Sequence, residues 1–197
     1  MRGVVVVKHL KIGLDIDGVI VDYAAVMLPL LSEVCDRPVT LRDVNAWDLK
    51  ECLNIDDEAV EYIWQQTLGT ELLLHAPPIE GAIDGLSRIN HHEIWIITGR
   101  PAAMQSLTES WLHEREIKYD NIVFVENGSK MSAGPVFDLF VEDYLEEALI
   151  FASAGTLTLL FNQPWNQSTS LPRNCRRVHK WKDVIRVVDR LESENRG

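Results

Sequence analysis

Short apolar runs rich in Val, Ile, Leu and Phe punctuate the chain: "KIGLD" at 11 to 15, "IWIIT" at 94 to 98, "NIVFV" at 121 to 125, "LFVED" at 139 to 143 and "LTLLF" at 157 to 161. Runs of this length, bounded by polar and turn residues, read as buried strands. Between them helical periodicity covers about 80 to 90, 101 to 116 and 144 to 154, and a last helical pattern spans 181 to 194. Strand and helix alternation predicts a parallel sheet covered on both faces with right-handed crossovers, a doubly wound α/β architecture. Pro101 is placed as the first residue of its helix, where a missing N–H costs nothing. "GVVVVKHLKIGL" at the N-terminus reads as an incoming strand.

One interval breaks the rhythm. From Asp22 to about Pro78 the chain runs without a clear strand, far beyond an ordinary crossover. Helical patterns near 22 to 36 and 57 to 68 fill part of it, and "TLRD" at 40 to 43 resembles a helix start capped by Thr40. "APP" at 76 to 78 reads as a rigid return. The expected organisation is a core of residues 1–21 and 79–197 with a small helical cap, 22–78, inserted after the first strand.

Composition narrows the partners. With 197 residues, 46% of them hydrophobic, the chain can bury a substantial core. A formal net charge of -11 argues against a nucleic-acid polymer or an anionic membrane surface, since both call for a basic face. A small anion stays open, provided that a metal ion, a lysine or helix N-termini create local positive potential. Three cysteines, Cys35, Cys52 and Cys175, are odd in number and lack a CxxC pair, which suggests neither a disulfide framework nor a thiolate zinc site but a reducing cytosol. The N-terminal valines are cut short by Lys8 and Lys11 without a small-residue cleavage site, and no stretch approaches the ~18 apolar residues of a membrane span.

Reactive groups in open parallel sheets collect at the carboxyl ends of strands. The first strand here ends in Asp15 and Asp17, the second in Thr98 followed by Gly99, and the fourth in Glu142 and Asp143, while Lys130 lies in the loop after the third. These supply a nucleophile, an acid, a hydroxyl, a cation and metal-binding oxygens, the parts needed for phosphoryl transfer. Asp15 attacks phosphorus only if repulsion between two anions is removed, which Mg2+ held by Asp15, an acid of the fourth strand and phosphate oxygens would do. Asp17, two residues on, suits the proton donor to the leaving oxygen and the base toward water. Thr98, Gly99 and Lys130 would hold the remaining phosphate oxygens.

At this point the sequence resembles the haloacid dehalogenase superfamily, with "DIDG", "IITGR", Lys130 and "FVED" in the order and spacing of its four motifs. A closer similarity, over nearly the whole chain, is to the 5'(3')-deoxyribonucleotidases and their bacterial relatives, through "DIDGVIVDY", "PPIEGA", "WIITGRP", "WLHEREIKYDNIVF", "LFVEDYLEEAL" and "LLFNQPWN". The resemblance implies a Rossmann-like core with a helical cap and a Mg2+-dependent phosphatase of nucleoside monophosphates; a monomer or a homodimer is expected. It implies Asp15 as nucleophile, Asp17 as acid/base and backbone-carbonyl metal ligand, Thr98 and Lys130 as phosphate binders, and Asp143 as metal ligand with Glu142 beside it. The Glu-Asp pair departs from the paired aspartates of the mammalian enzymes and matches the bacterial ones.

Blander origins compete for several of these residues. With thirty acidic residues a D-x-D triplet arises readily by chance, and it is the strand end and the motif order that give Asp15 and Asp17 their chemistry. Tyr23, Trp47 and Trp64 could stack on a base or form the core of the cap, Arg100 could contact substrate, and Trp165 packs its loop. His91 and His92 fall in a helix-to-strand turn without a partner at ligand spacing, which reads as solvation. Other readings of the whole chain are a phosphatase of sugar phosphates or other small phosphomonoesters, and a non-catalytic phosphate or nucleotide binder.

Overall fold

The computed structural model describes residues 9–68, 71–126, 128–167 and 170–194. Its centre is a six-stranded sheet, every neighbouring pair parallel, in the order β3-β2-β1-β4-β5-β6. The strands are β1 (Lys11–Leu14), β2 (Glu93–Thr98), β3 (Asn121–Phe124), β4 (Leu139–Glu142), β5 (Leu157–Phe161) and β6 (Cys175–Val178). The chain moves outward from β1 through β2 to β3, then returns to β4 on the other side, so β1 and β4 flank the point where strand order reverses. Loops part at such a point and leave a crevice at the carboxyl ends.

Helices α5 (Ala82–Ile89), α6 (Gln105–Glu114), α7 (Leu145–Ser153) and α8 (Trp181–Glu194) cover the sheet. Alternation along the strands explains the two layers. Ile94 and Ile96 join Trp111 of α6 and Trp181 and Val184 of α8 in one buried cluster. Ile97 on the opposite face packs with Phe137, Phe140 and Phe151 of α7 in another.

Four helices lie between β1 and α5: α1 (Tyr23–Val34), α2 (Leu49–Leu53), α3 (Asp57–Leu68) and α4 (Leu72–His75). Asp22 starts α1 by accepting a hydrogen bond from the Ala25 N–H, and Asp48 starts α2 through the Lys50 N–H. Their apolar sides bury a separate cluster around Met27, Leu31, Val44, Leu49 and Ile63. The return at Ala76–Pro78 is tied to the core where Asp22 N–H donates to Pro77 O at 2.9 Å and Val21 bridges Pro78.

Three local expectations need correction. "TLRD" forms a turn and no helix, because the Asp43 carboxylate reaches back to accept from both the Thr40 N–H and its hydroxyl. Pro101 precedes a 3-10 turn, Ala102–Met104, and α6 begins only at Gln105. A sixth strand, "CRRV", passed unseen because an edge strand with two arginines lacks the apolar run of a central one. Of the expected N-terminal strand, β1 begins at Lys11, and the valines at 4–7 lie outside the described residues.

Candidate active site

At the carboxyl end of β1 the backbone stays locked to β4 by Asp15 N–H donating to Val141 O at 2.9 Å, while the side chain turns out of the sheet. Asp15 Oδ1 accepts from the Ile16 N–H at 2.7 Å, and Oδ2 lies 2.8 Å from Lys130 Nζ. Lys130 starts a 3-10 turn, Lys130–Ser132, and its ammonium, 2% exposed, also donates to Glu142 Oε2 at 2.8 Å. Glu142 Oε1 accepts from the N–H groups of Asp143 and Tyr144, each at 3.1 Å. Both oxygens of Glu142 are thus engaged.

Asp143 differs. Its Oδ1 is buried and has no hydrogen-bond partner among the described residues. Its backbone carbonyl is held by Asn166 Nδ2 at 2.7 Å. Gly18 makes room for the carboxylate: at φ +74 a side chain is strained, and an added Cβ would stand 1.9 Å from Asp143 Oδ2. Gln163 Nε2 fixes this turn by donating to Gly18 O at 3.0 Å.

Asp15, Glu142 and Asp143 each offer an oxygen, and the three lie within 4.8 Å of one another. Three buried acids around one ammonium leave an excess of negative charge. Burial, then the neighbouring Glu142, lifts the Asp15 carboxyl to about 7, and burial with Asp15 and Glu142 lifts Asp143 well above the carboxylate range. Burial works against the Lys130 charge, but Asp15 and Glu142 overcome it and hold the ammonium protonated. The arrangement fits a divalent cation: an orphaned buried oxygen and hard carboxylate donors at a net negative centre.

Asp17, partly exposed, faces Arg100. The guanidinium donates from Nε to Oδ2 at 2.8 Å and from Nη2 to Oδ1 at 2.6 Å, while Nη1 donates to Thr108 Oγ1 at 3.0 Å. Thr98 is the last residue of β2, and its Oγ1 accepts from the Arg100 N–H at 3.2 Å, so the threonine sets the turn that carries the arginine. Gly99 between them borders the pocket.

The pocket above these groups is about 210 Å³, with Asp15, Asp17 and Lys130 at its polar end. Two aromatic pairs wall it. Tyr23 stacks on Trp64 with centroids 6.1 Å apart and its hydroxyl hydrogen-bonds Thr67 at 2.5 Å. Trp47, still 44% exposed, stacks on Tyr144 at 4.1 Å. Trp165, expected to pack its own loop, packs against the apolar cluster around Met27 and Ile63 and also borders the pocket.

Every site residue singled out in the sequence is therefore at this end of the sheet. Thr98, Glu142 and Asp143 are buried beneath it and do not border the opening. Sequence reasoning missed Tyr144, Thr108, Gln163 and Asn166; only the polar "NQPWN" directly after a strand end pointed toward the last two.

A model of the family "5' nucleotidase, deoxy (Pyrimidine), cytosolic type C protein" matches residues 8–193. The chain belongs to this family. It is accordingly a phosphoric monoester hydrolase of the 5'-nucleotidase type within the haloacid dehalogenase superfamily. A nucleotidase of Clostridium acetobutylicum is 29% identical over 189 residues, covering 93% of this chain and 96% of that protein. A Halalkalibacterium halodurans protein, named provisionally as a nucleotidase, is 27% identical over 186 residues, with 92% and 94% covered. Among solved structures, a haloacid dehalogenase-like hydrolase from Streptococcus pneumoniae superposes with a TM-score of 0.62 at 14% identity, covering 91% of this nucleotidase and 98% of that chain. That last likeness speaks for the fold alone.

Proposed function

We propose that this nucleotidase is a Mg2+-dependent phosphomonoesterase that works through an aspartyl-phosphate at Asp15 and acts on nucleoside 5'- or 3'-monophosphates in a reducing cytosol. The observation that carries the reading is the buried Asp15–Lys130–Glu142–Asp143 cluster, with one orphaned carboxylate oxygen, beneath an aromatic-walled pocket. Residues 22–78 act as the cap that selects the leaving group, and residues 1–21 with 79–197 as the core that handles phosphate.

Asp15 and Asp143, together with the Asp17 backbone carbonyl, would hold Mg2+. Glu142 orients Lys130 and the loop of Asp143 through its two oxygens and lies beside the ion. When bound, the ion neutralises the repulsion between carboxylate and phosphate. Asp15 attacks phosphorus and the alkoxide leaves with a proton from Asp17; Asp17 then takes a proton from the water that releases phosphate from Asp15. Lys130 and the backbone at Gly99 bind the equatorial oxygens, and Thr98 shapes that turn from below. Trp47 and Tyr23 line the space for a planar base.

A phosphate-release panel of nucleoside monophosphates and sugar phosphates, with Mg2+ and with EDTA, tests this. Nucleotides should turn over only with Mg2+; a preference for sugar phosphates defeats the substrate assignment. Asp15→Asn should lower turnover by on the order of 10⁴-fold or more while nucleotide binding persists. Asp17→Asn should trap phosphoenzyme.

A further inference from the structure

We infer that the chain carries a second metal site, for a borderline transition-metal dication such as Zn2+, formed by His91, His92 and Glu192 at the end of the sheet opposite the acidic pocket. The solvation expected from sequence holds for half-exposed His91 and not for buried His92, and the partner missing locally arrives from α8. His91 and His92 close the turn between α5 and β2, where His92 N–H donates to Ile89 O at 3.0 Å. Gly85 of α5 lies against Trp181 of α8, so the two helices run side by side and bring Glu192, near the C-terminal end of α8, to this turn.

The donors converge. Both Nε2 atoms stand 2.9 Å from the same Glu192 Oε1. Adjacent donors around a tetrahedral ion with ~2.0–2.1 Å bonds are ~3.3 Å apart, so shifts of a few tenths of an ångström make room for one. The His92 ring is buried, 2% exposed, and its Nε2 points into the cluster at the Glu192 carboxylate, 2.9 Å away. A buried ring nitrogen held beside a second imidazole nitrogen and a carboxylate oxygen is a ready-made donor set for a cation. Half-exposed His91 leaves an open side through which an ion enters and water completes its shell.

Two imidazoles and one carboxylate select Zn2+, Ni2+ or Cu2+ over Mg2+, the reverse of the all-oxygen cluster. Coordination through His92 Nε2 puts the ring proton on Nδ1 and gives up the long 3.4 Å approach of the Leu10 N–H. The length of β2 separates the two centres by roughly 20 Å at ~3.3 Å per residue. The ion would pin the end of α8 to the start of β2, a structural role independent of the phosphatase reading.

Calorimetry of the full chain with ZnCl2, in excess MgCl2 to saturate the acidic pocket, tests this. One Zn2+ should bind per chain in the wild type and in Asp143→Asn. Affinity should fall on the order of tenfold or more in His91→Ala and in Glu192→Gln, a half-exposed ring and a shape-conserving change that circular dichroism should show folded. X-ray absorption should show imidazole nitrogens at ~2.0 Å. The inference is overturned if Mg2+-saturated protein takes up no Zn2+, if uptake survives both substitutions undiminished, or if Asp143→Asn abolishes it, which would assign the ion to the acidic pocket.

Discussion

The guanidinium of Arg100 grips both carboxylate oxygens of Asp17, at 2.6 and 2.8 Å, and is itself anchored to Thr108. Arg100 is thereby a positioning residue: it sets the direction of the proposed acid/base. Lysine at this position keeps the charge but cannot make the two-pronged contact. Arg100→Lys should lower kcat by on the order of 10- to 100-fold with KM little changed, because misplacement by an ångström carries that penalty. Steady-state kinetics decide; a rise in KM at constant kcat would make the arginine a substrate contact instead.

Gly18 and Asp143 interlock, since a Cβ on residue 18 would collide with Asp143 Oδ2 in a backbone region that favours glycine. Gly18→Ala should cost about 1–3 kcal/mol of stability and weaken Mg2+ binding, as the carboxylate is pushed aside. Chemical denaturation and Mg2+ titration measure the two effects. Unchanged Mg2+ affinity in the folded variant would remove Asp143 from the ion's ligands.

How far the sequence reveals this arrangement depends on what holds each part. Central strands such as β2 and β4 are apolar because both faces are covered, and their runs were legible. β6 has one neighbour and carries Arg176 and Arg177, so its signal vanished. The meeting of Asp15, Lys130 and Asp143 was legible because segments that follow parallel strands converge at one end of the sheet. The Arg100 grip on Asp17 was not, since sequence gives no direction for a side chain. The approach of Glu192 to His91 joins positions 101 residues apart and depends on how α5 and α8 pack.

The raised Asp15 and Asp143 carboxyls give the metal-free protein an inverted pH response. From the ordinary value of 3.8 up to about 7, folded Asp15 keeps a proton that the unfolded chain has lost. Stability with EDTA should therefore fall as pH rises through that window. Mg2+ needs the carboxylate form, so its stabilisation should grow over the same window. Melting temperatures with and without Mg2+, from about pH 5 to about pH 8, test the sign. An equal Mg2+-induced shift at both ends would contradict it.

Trp47 reaches from the insertion to stack on Tyr144, which follows Asp143 directly, so the aromatic wall and the acidic cluster share a loop. A ring left 44% exposed and stacked on Tyr144 at 4.1 Å can exchange that contact for a planar base of the substrate. Trp47→Ala removes a surface that contributes about 1–3 kcal/mol per stacked base. KM for nucleoside monophosphates should rise by on the order of 10-fold, while kinetics toward a small aliphatic phosphomonoester, which has no ring to stack, should stay as in the wild type. Equal losses on both substrates would mean that the tryptophan supports the Asp143 loop and does not read the leaving group.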